Sequence, residues 1–348
     1  MMKTFLKLLT LTLFALPLIF VGCTSKTDSS NTSPLKRTEL LMGTTVSVTL
    51  FDHQDEAILD DAFSLVKELE NELSLNKEST LLTELNASSG IAPFKVNDTL
   101  FDIVQKGVYY SELTHGSFDL SVGPIVKLWS IGLPEARVPS QAEIDAALPL
   151  IGYKNIILDE AESTIYLKKP NMQLDLGGIA KGYTADALAD LLSSKGVEHA
   201  LIDLGGNIYT LGTKVDGSLW KVGIQDPFES RNNTVGYISV ANQSIVTSGI
   251  YERYLEADGK KYHHILDPST GYPFDNDLAG ITIISDKSVD GDALSTSVFS
   301  KGLQEGIDFV HSLPGIDAIF ITKDSKVYIT DGLKGNFVLT NEAFQLMN

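Results

Sequence analysis

Apolar residues recur every three or four positions over residues 57–73, at Ile58, Ala62, Leu65, Val66, Leu69 and Leu73, which predicts an amphipathic helix. Residues 37–50 end instead in MGTTVSVTL, an alternation of period two that reads as a strand. A second helix is expected over 99–113. The stretch after it, THGSFDLSVGP at 114–124, is too rich in Gly, Ser and Pro for a regular element and is a candidate site loop. Two segments echo each other, LDLGG at 174–178 and IDLGG at 202–206. Each reads as a buried strand end opening into a glycine turn, the first followed by a helix over 183–195 that Gly196 can cap. Short strands are expected at 220–223, 237–240, 244–247, 281–284, 318–321 and 327–329. Helices fall between only some of them. The whole predicts an α/β (mixed α+β) fold, one compact unit of mixed sheets with packed helices spanning 36–346.

The first residues change the picture of where this unit works. Lys3 and Lys7 precede an uncharged apolar run over 8–21, then Gly22 and Cys23. This is the pattern of a secretory signal peptide, 1–22, with a lipoprotein-type cleavage site that leaves Cys23 as a lipidated first residue. Phe20, three places before the cysteine, departs from the usual small-residue pattern and leaves a retained membrane helix as the alternative. Either way the body is expected outside the cytoplasm, on the extracytoplasmic face of the cell membrane. Residues 23–35, polar and without periodicity, form a tether.

The chain has 27 basic and 45 acidic residues, a net charge of −18. Nucleic acid is therefore a poor partner for the general surface. Cys23 is the single cysteine, so structural disulfides, cysteine zinc sites and a thiol nucleophile are excluded.

Candidate chemistry gathers at a few places. In SDKSVDGDALSTSVFS, residues 285–300, Asp292 and Thr296 lie one helical turn apart, so a carboxylate and a hydroxyl share one face. Oxygen donors of this kind suit Mg2+ or Ca2+, with Mn2+ also open. The plainer reading is acidic residues placed at the positive end of a helix. The glycine pairs in the two echoing segments suit close approach to a phosphate, although GGIAKGYT fits neither the Walker nor the dinucleotide spacing. In YHHILDPSTGYP, His263 and His264 precede tight turns that would hold an imidazole in place, suited to taking a proton from a hydroxyl. Local hydrogen bonding beside a turn is the alternative.

Taken together, LMGT at 41–44, GSFDLSVGP at 116–124, LDLGGIAKGY at 174–183, LIDLGGN at 201–207, TSGIYERY at 247–254, YHHILDPSTGYP at 262–273 and DGDALSTS at 290–297 resemble the flavin transferase (ApbE) family, in the family's order and over nearly the whole body. That family moves FMN from FAD onto a threonine or serine of an acceptor protein. The resemblance implies Mg2+ held by the carbonyl of Ala180 and the side chains of Asp292 and Thr296. It implies FAD, the substrate, contacted by Met42, Asn76, Ser117, Phe118, Asp119, Gly177, Lys181, Tyr183, His264 and Ile265. His264 is expected to act at the acceptor hydroxyl. The implied partner is an extracytoplasmic redox protein with an exposed Thr or Ser, with the bilayer reached through Cys23. Competing readings are a Mg2+-dependent FAD pyrophosphatase yielding FMN and AMP, a non-catalytic lipid-anchored flavin-binding protein, and a substrate-binding lipoprotein for another solute.

Overall fold

The computed structural model describes residues 33–347; the signal segment, Cys23 and all of the tether but its end lie outside them. Leu35, expected as the last tether residue, already pairs with Leu50 as the first residue of a strand. Strands β1 (Leu35–Leu41) and β2 (Thr44–Leu50) form a hairpin where a single strand was expected. Met42 and Gly43, with φ of 53° and 68°, make the two-residue turn whose twist suits paired strands. In β2 the alternation buries Val46, Val48 and Leu50.

Helix α1 (Glu56–Leu73) is capped by Asp55, whose carboxylate accepts Ala57 N at 3.0 Å. Next come α2 (Leu81–Ala87), β3 (Phe94–Lys95), α3 (Asp98–Leu113), α4 (Gly123–Trp129) and α5 (Gln141–Ala147). The loop expected over 114–124 ends two residues early, because Gly123 and Pro124 open α4. Strand β5 (Thr164–Leu167) pairs with β3 on one side and with β4 (Ile156–Asp159) on the other in a small sheet.

Helix α6 (Ala180–Ser194) is followed by β6 (Ala200–Leu204), β7 (Asn207–Leu211), β8 (Trp220–Gln225), β9 (Thr234–Val240), β10 (Gln243–Gly249), β11 (Tyr254–Ala257), β12 (Lys260–His263) and β13 (Leu278–Ser285). Then α7 (Ser288–Ser300) and α8 (Gly302–His311) precede β14 (Asp317–Thr322), β15 (Lys326–Ile329), β16 (Val338–Leu339) and β17 (Gln345–Leu346).

Among the described residues nine strands form the central sheet, in the order β1-β2-β6-β7-β10-β13-β14-β15-β17. Its neighbours are antiparallel except β15 and β17, which run parallel. The sheet is covered on both faces, and β14 shows how. Its unbroken apolar run sends Ala318 and Phe320 into a core shared with α3 and α7, and Ile319 and Ile321 into a second core under β8 and β9. A third core packs α1 and α6 on β2 and β6. Helix α7 is buried on nearly every side. Its serines make this possible, because Ser295 and Ser297 return their hydroxyls to Asp292 O and Ala293 O at 2.8 Å each.

Residues 174–178 are not a strand, contrary to expectation. Their backbone is satisfied otherwise: buried Asn86 donates to Leu174 O at 3.1 Å and accepts Leu174 N at 2.8 Å, while Asp175 N donates to Leu120 O at 2.8 Å. Among the described residues no helix is long and apolar enough to cross a membrane.

Candidate active site

The site is built where α6 crosses α7. A Cβ on Gly182 would lie 2.3 Å from Ser288 O, so glycine here lets the two backbones touch. One turn further along α6, Asp186 accepts Ser288 N at 2.8 Å and Val289 N at 2.9 Å. It supplies the N-terminal cap that α7 lacks, since Lys287 offers no capping side chain. Burial pushes the Asp186 carboxyl up to about 6, against the pull of these bonds. Asp290 accepts the hydroxyl of Tyr110, which ties α7 to α3, and burial followed by that bond holds the phenol well above its ordinary range.

On the same helix Asp292 is 3 % exposed. Its Oδ2 accepts Gly182 N at 2.8 Å and its Oδ1 accepts Lys181 Nζ at 2.9 Å. Thr296 comes one turn later, and both residues line a cleft of about 1020 Å3. Charged and hydroxyl groups from distant parts of the chain therefore meet around one carboxylate.

The facing wall is the turn after α3. Ser117 Oγ donates to Thr114 O at 3.0 Å, and Phe118 is buried beneath Gly178, where a Cβ would come within 3.1 Å of the ring. Asp119 also borders the cleft, but both its oxygens are engaged: Oδ1 accepts Ser121 N at 2.8 Å and Ser121 Oγ at 2.6 Å, and Oδ2 accepts Tyr153 N at 2.9 Å. It fixes the turn, and burial raises its pKa. On the floor, Asp175 accepts Gly177 N at 2.6 Å; burial raises this carboxyl, and the nearby Arg253 guanidinium pulls it back down.

The histidine pair divides its roles. His263 is buried with both nitrogens occupied: Nε2 lies 2.9 Å from Phe274 O and Nδ1 accepts Ile265 N at 3.3 Å. His264 lines the cleft, with Nδ1 3.2 Å from Arg253 O. A carbonyl only accepts, so Nδ1 carries the proton and Nε2 keeps a free lone pair. Burial first, then the Arg253 charge, holds this imidazole down to about 3, so it is neutral at ordinary pH. His264 and Ile265 come after β12 rather than forming a strand of their own.

Asn76, Gly177, Lys181 and Ile265 also line the cleft. Met42, Ala180 and Tyr183 do not. Met42 sits in the β1–β2 turn with its N–H on Glu70 Oε1 at 2.7 Å, and adjoins the site through Gly43 O, which accepts Arg253 Nη2 at 3.0 Å. Ala180 is buried, its carbonyl accepting Thr184 Oγ1 at 2.8 Å. The Tyr183 hydroxyl is pushed up to about 12 by burial, then by the carboxylates of Asp102 and Glu72. Asn86 and Asp186, which shape the site, do not stand out in the sequence. A polar residue at a buried position of a helical pattern is their signal, but nothing local names their partners.

Residues 42–320 of this chain match the ApbE family. An FAD:protein FMN transferase of Klebsiella pneumoniae is 39% identical over 89% of this chain and 96% of its own length. One from Treponema pallidum is 36% identical over 85% and 87%. Among solved structures, the ApbE protein of Thermotoga maritima superposes with a TM-score of 0.80 at 30% identity, covering 87% of this chain and 99% of that one. The flavin transferase ApbE of Vibrio cholerae does so with a TM-score of 0.78 at 27% identity, over 87% and 99%.

Proposed function

Because the chain belongs to the ApbE family, we propose that it is a metal-dependent FAD:protein FMN transferase acting on a threonine or serine of an extracytoplasmic acceptor protein. The observation that carries the reading is the single cleft onto which Asp292, Thr296, Lys181 and His264 all open.

The donors suit Mg2+. The Asp292 carboxylate already accepts a cation, Lys181 Nζ at 2.9 Å, and Thr296 adds a hydroxyl. The Ala180 carbonyl has given one lone pair to Thr184, and a carbonyl has two. These three residues would hold the ion, which supplies charge neutralisation for a pyrophosphate that an acidic protein otherwise repels.

The protein's own groups do the rest. Lys181 and Arg253 bring positive charge to the phosphates, and the turn 117–119 with Gly177 gives FAD its wall. His264 Nε2 takes the proton of the acceptor hydroxyl. The oxygen so freed forms a bond to the phosphorus on the FMN side, the pyrophosphate P–O bond breaks, and AMP leaves with the electron pair. A strong protein nucleophile is not needed, because positioning and charge neutralisation dominate phosphoryl transfer. Phosphate charge brought beside His264 raises its pKa and improves it as a base.

The signal pattern and Cys23 support a lipid-anchored body on the outer face of the cell membrane. The test is intact-mass spectrometry of an acceptor domain incubated with the chain, FAD and Mg2+. A gain of one FMN with release of AMP is expected. FMN and AMP without an adduct would make the site a pyrophosphatase, and intact FAD a binding protein.

A further inference from the structure

The ribbon β11–β12 stands apart: among the described residues no third strand joins it. Its outer edges offer unpaired N–H and C=O groups, the arrangement that receives an added strand. Beside it lies a groove of about 740 Å3, separate from the cleft. The groove is aromatic, and two of its rings face solvent, Tyr254 at 44% and Phe228 at 49% exposure.

Its charge runs against that of the molecule. The chain carries −18, yet the groove holds four cations. Arg231 and Lys323 are neutralised by Glu252 and Asp275, at 3.0 and 3.4 Å. Lys260 and Lys261 enter no ion pair among the described residues; their ammonium groups lie 5.1 Å over Tyr262 and 4.6 Å over Tyr254. Glu229 is the one other carboxylate lining the groove, so a net positive charge is left.

Groove and cleft adjoin at consecutive residues of the chain. His263 lines the groove, and His264, next in sequence, lines the cleft. A chain laid along β12 therefore arrives at the imidazole.

We infer that the ribbon and its groove receive the acceptor protein as an extended segment with acidic and apolar residues flanking its reactive hydroxyl. This rests on the transfer reading above. Lys260 to His264 spans at most about 13 Å of extended chain, so the carboxylates that meet Lys260 and Lys261 fall within about five residues of the hydroxyl.

The experiment uses the full chain with FAD, Mg2+ and an acceptor domain that the wild type flavinylates. Lys260→Glu combined with Lys261→Glu is one variant, and Tyr254→Ser a second. Both are expected to raise the acceptor KM at least tenfold, with kcat within twofold and the FAD Kd, read without acceptor, unchanged. An acceptor whose acidic residues near the hydroxyl are replaced by lysine should regain a low KM with the double variant. An unchanged KM overturns the inference. So does a parallel loss of FAD affinity, which would assign the groove to the flavin. Loss of binding to vesicles containing anionic lipid at an unchanged acceptor KM also overturns it, in favour of a lipid-facing surface. The two readings fail separately: no adduct with the wild type sinks transfer itself, whereas a wild-type adduct with indifferent variants sinks only the docking site.

Discussion

Residues 174–178 and 202–206 carry almost the same five letters and fold differently. In the first copy Gly177 and Gly178 keep ordinary backbone angles, Asp175 accepts Gly177 N, and the chain enters α6 along the floor of the cleft. In the second, Gly205 and Gly206 take φ of 66° and 101°, Asp203 accepts Gly206 N at 2.9 Å, and the chain reverses into β7. The downstream residues and the neighbours in space set the outcome. AKGYTADALA continues as a helix and NIYTL as a strand, while Asn86 removes the first copy's need for a ladder partner. The same glycine pair thus lines the cleft in one place and makes a hairpin turn in the other.

On that contrast, damage around the first copy costs function, and damage to the second costs stability alone. Asp292→Ala is the largest expected effect. It takes away the carboxylate that binds Lys181 and Gly182 N, and transfer should fall on the order of 100- to 1000-fold or more in a chain that still folds, its melting temperature lowered by the loss of the buried bond to Gly182 N. Normal turnover at fixed Mg2+ would break the assignment.

Gly205→Ala tests the other side. A Cβ there would lie 1.8 Å from Thr44 Oγ1 at a φ of 66°, so denaturant unfolding should show a loss of about 2–4 kcal/mol. FAD affinity should stay as in the wild type, and a weakened FAD site would erase the distinction between the copies.

Asn86→Ala sharpens it, because it removes both bonds to Leu174. About 2–3 kcal/mol of stability should go, together with a several-fold weaker FAD Kd by fluorescence titration, a double effect that Gly205→Ala lacks.

The smallest effect is in pH. His264 is held low, so kcat/KM, which reports the free enzyme, should show its acid limb well below the ordinary histidine value of about 6.5. Arg253→Met removes a charge that disfavours imidazolium, and should move the limb upward. The same linkage acts on stability: an imidazole held neutral in the folded chain keeps its full contribution above about 6.5 and loses it as pH falls toward the folded value. A limb that stays put in Arg253→Met would separate Arg253 from His264.

Much of the fold is legible from periodicity. The helices α1 and α3 and the strands β9, β10 and β13 to β15 come from strong repeats in single segments. The failures have local causes. Met42-Gly43 lacks the usual Asn-Gly or Asp-Gly signal, so the hairpin β1–β2 reads as one strand. Three glycines within 177–182 read as loop, yet Gly182 belongs to the first turn of α6 and is there for packing. In the site, residues that bear chemistry stand out in the sequence, including Asp292, Thr296, Lys181 and His264. Asn86 and Asp186 do not, since their partners are 88 and 102 residues away. His263 and His264 are alike as adjacent letters. The family motif picks His264, and in the structure the occupied nitrogens of His263 and the place of His264 on the cleft tell them apart.

The touching backbones at Gly182 and Ser288 have a consequence for how the molecule opens. With Asp186 and Asp292 both bridging α6 to α7, neither helix can fray at that end without breaking the other's bonds. The amide protons of Gly182, Ser288 and Val289 should therefore exchange with solvent as one set, through a shared and rare event, while those on the outer edges of β11–β12 exchange freely. The body would then carry a slow-exchanging hinge-free block under its reactive groups and a fast-exchanging ribbon beside it.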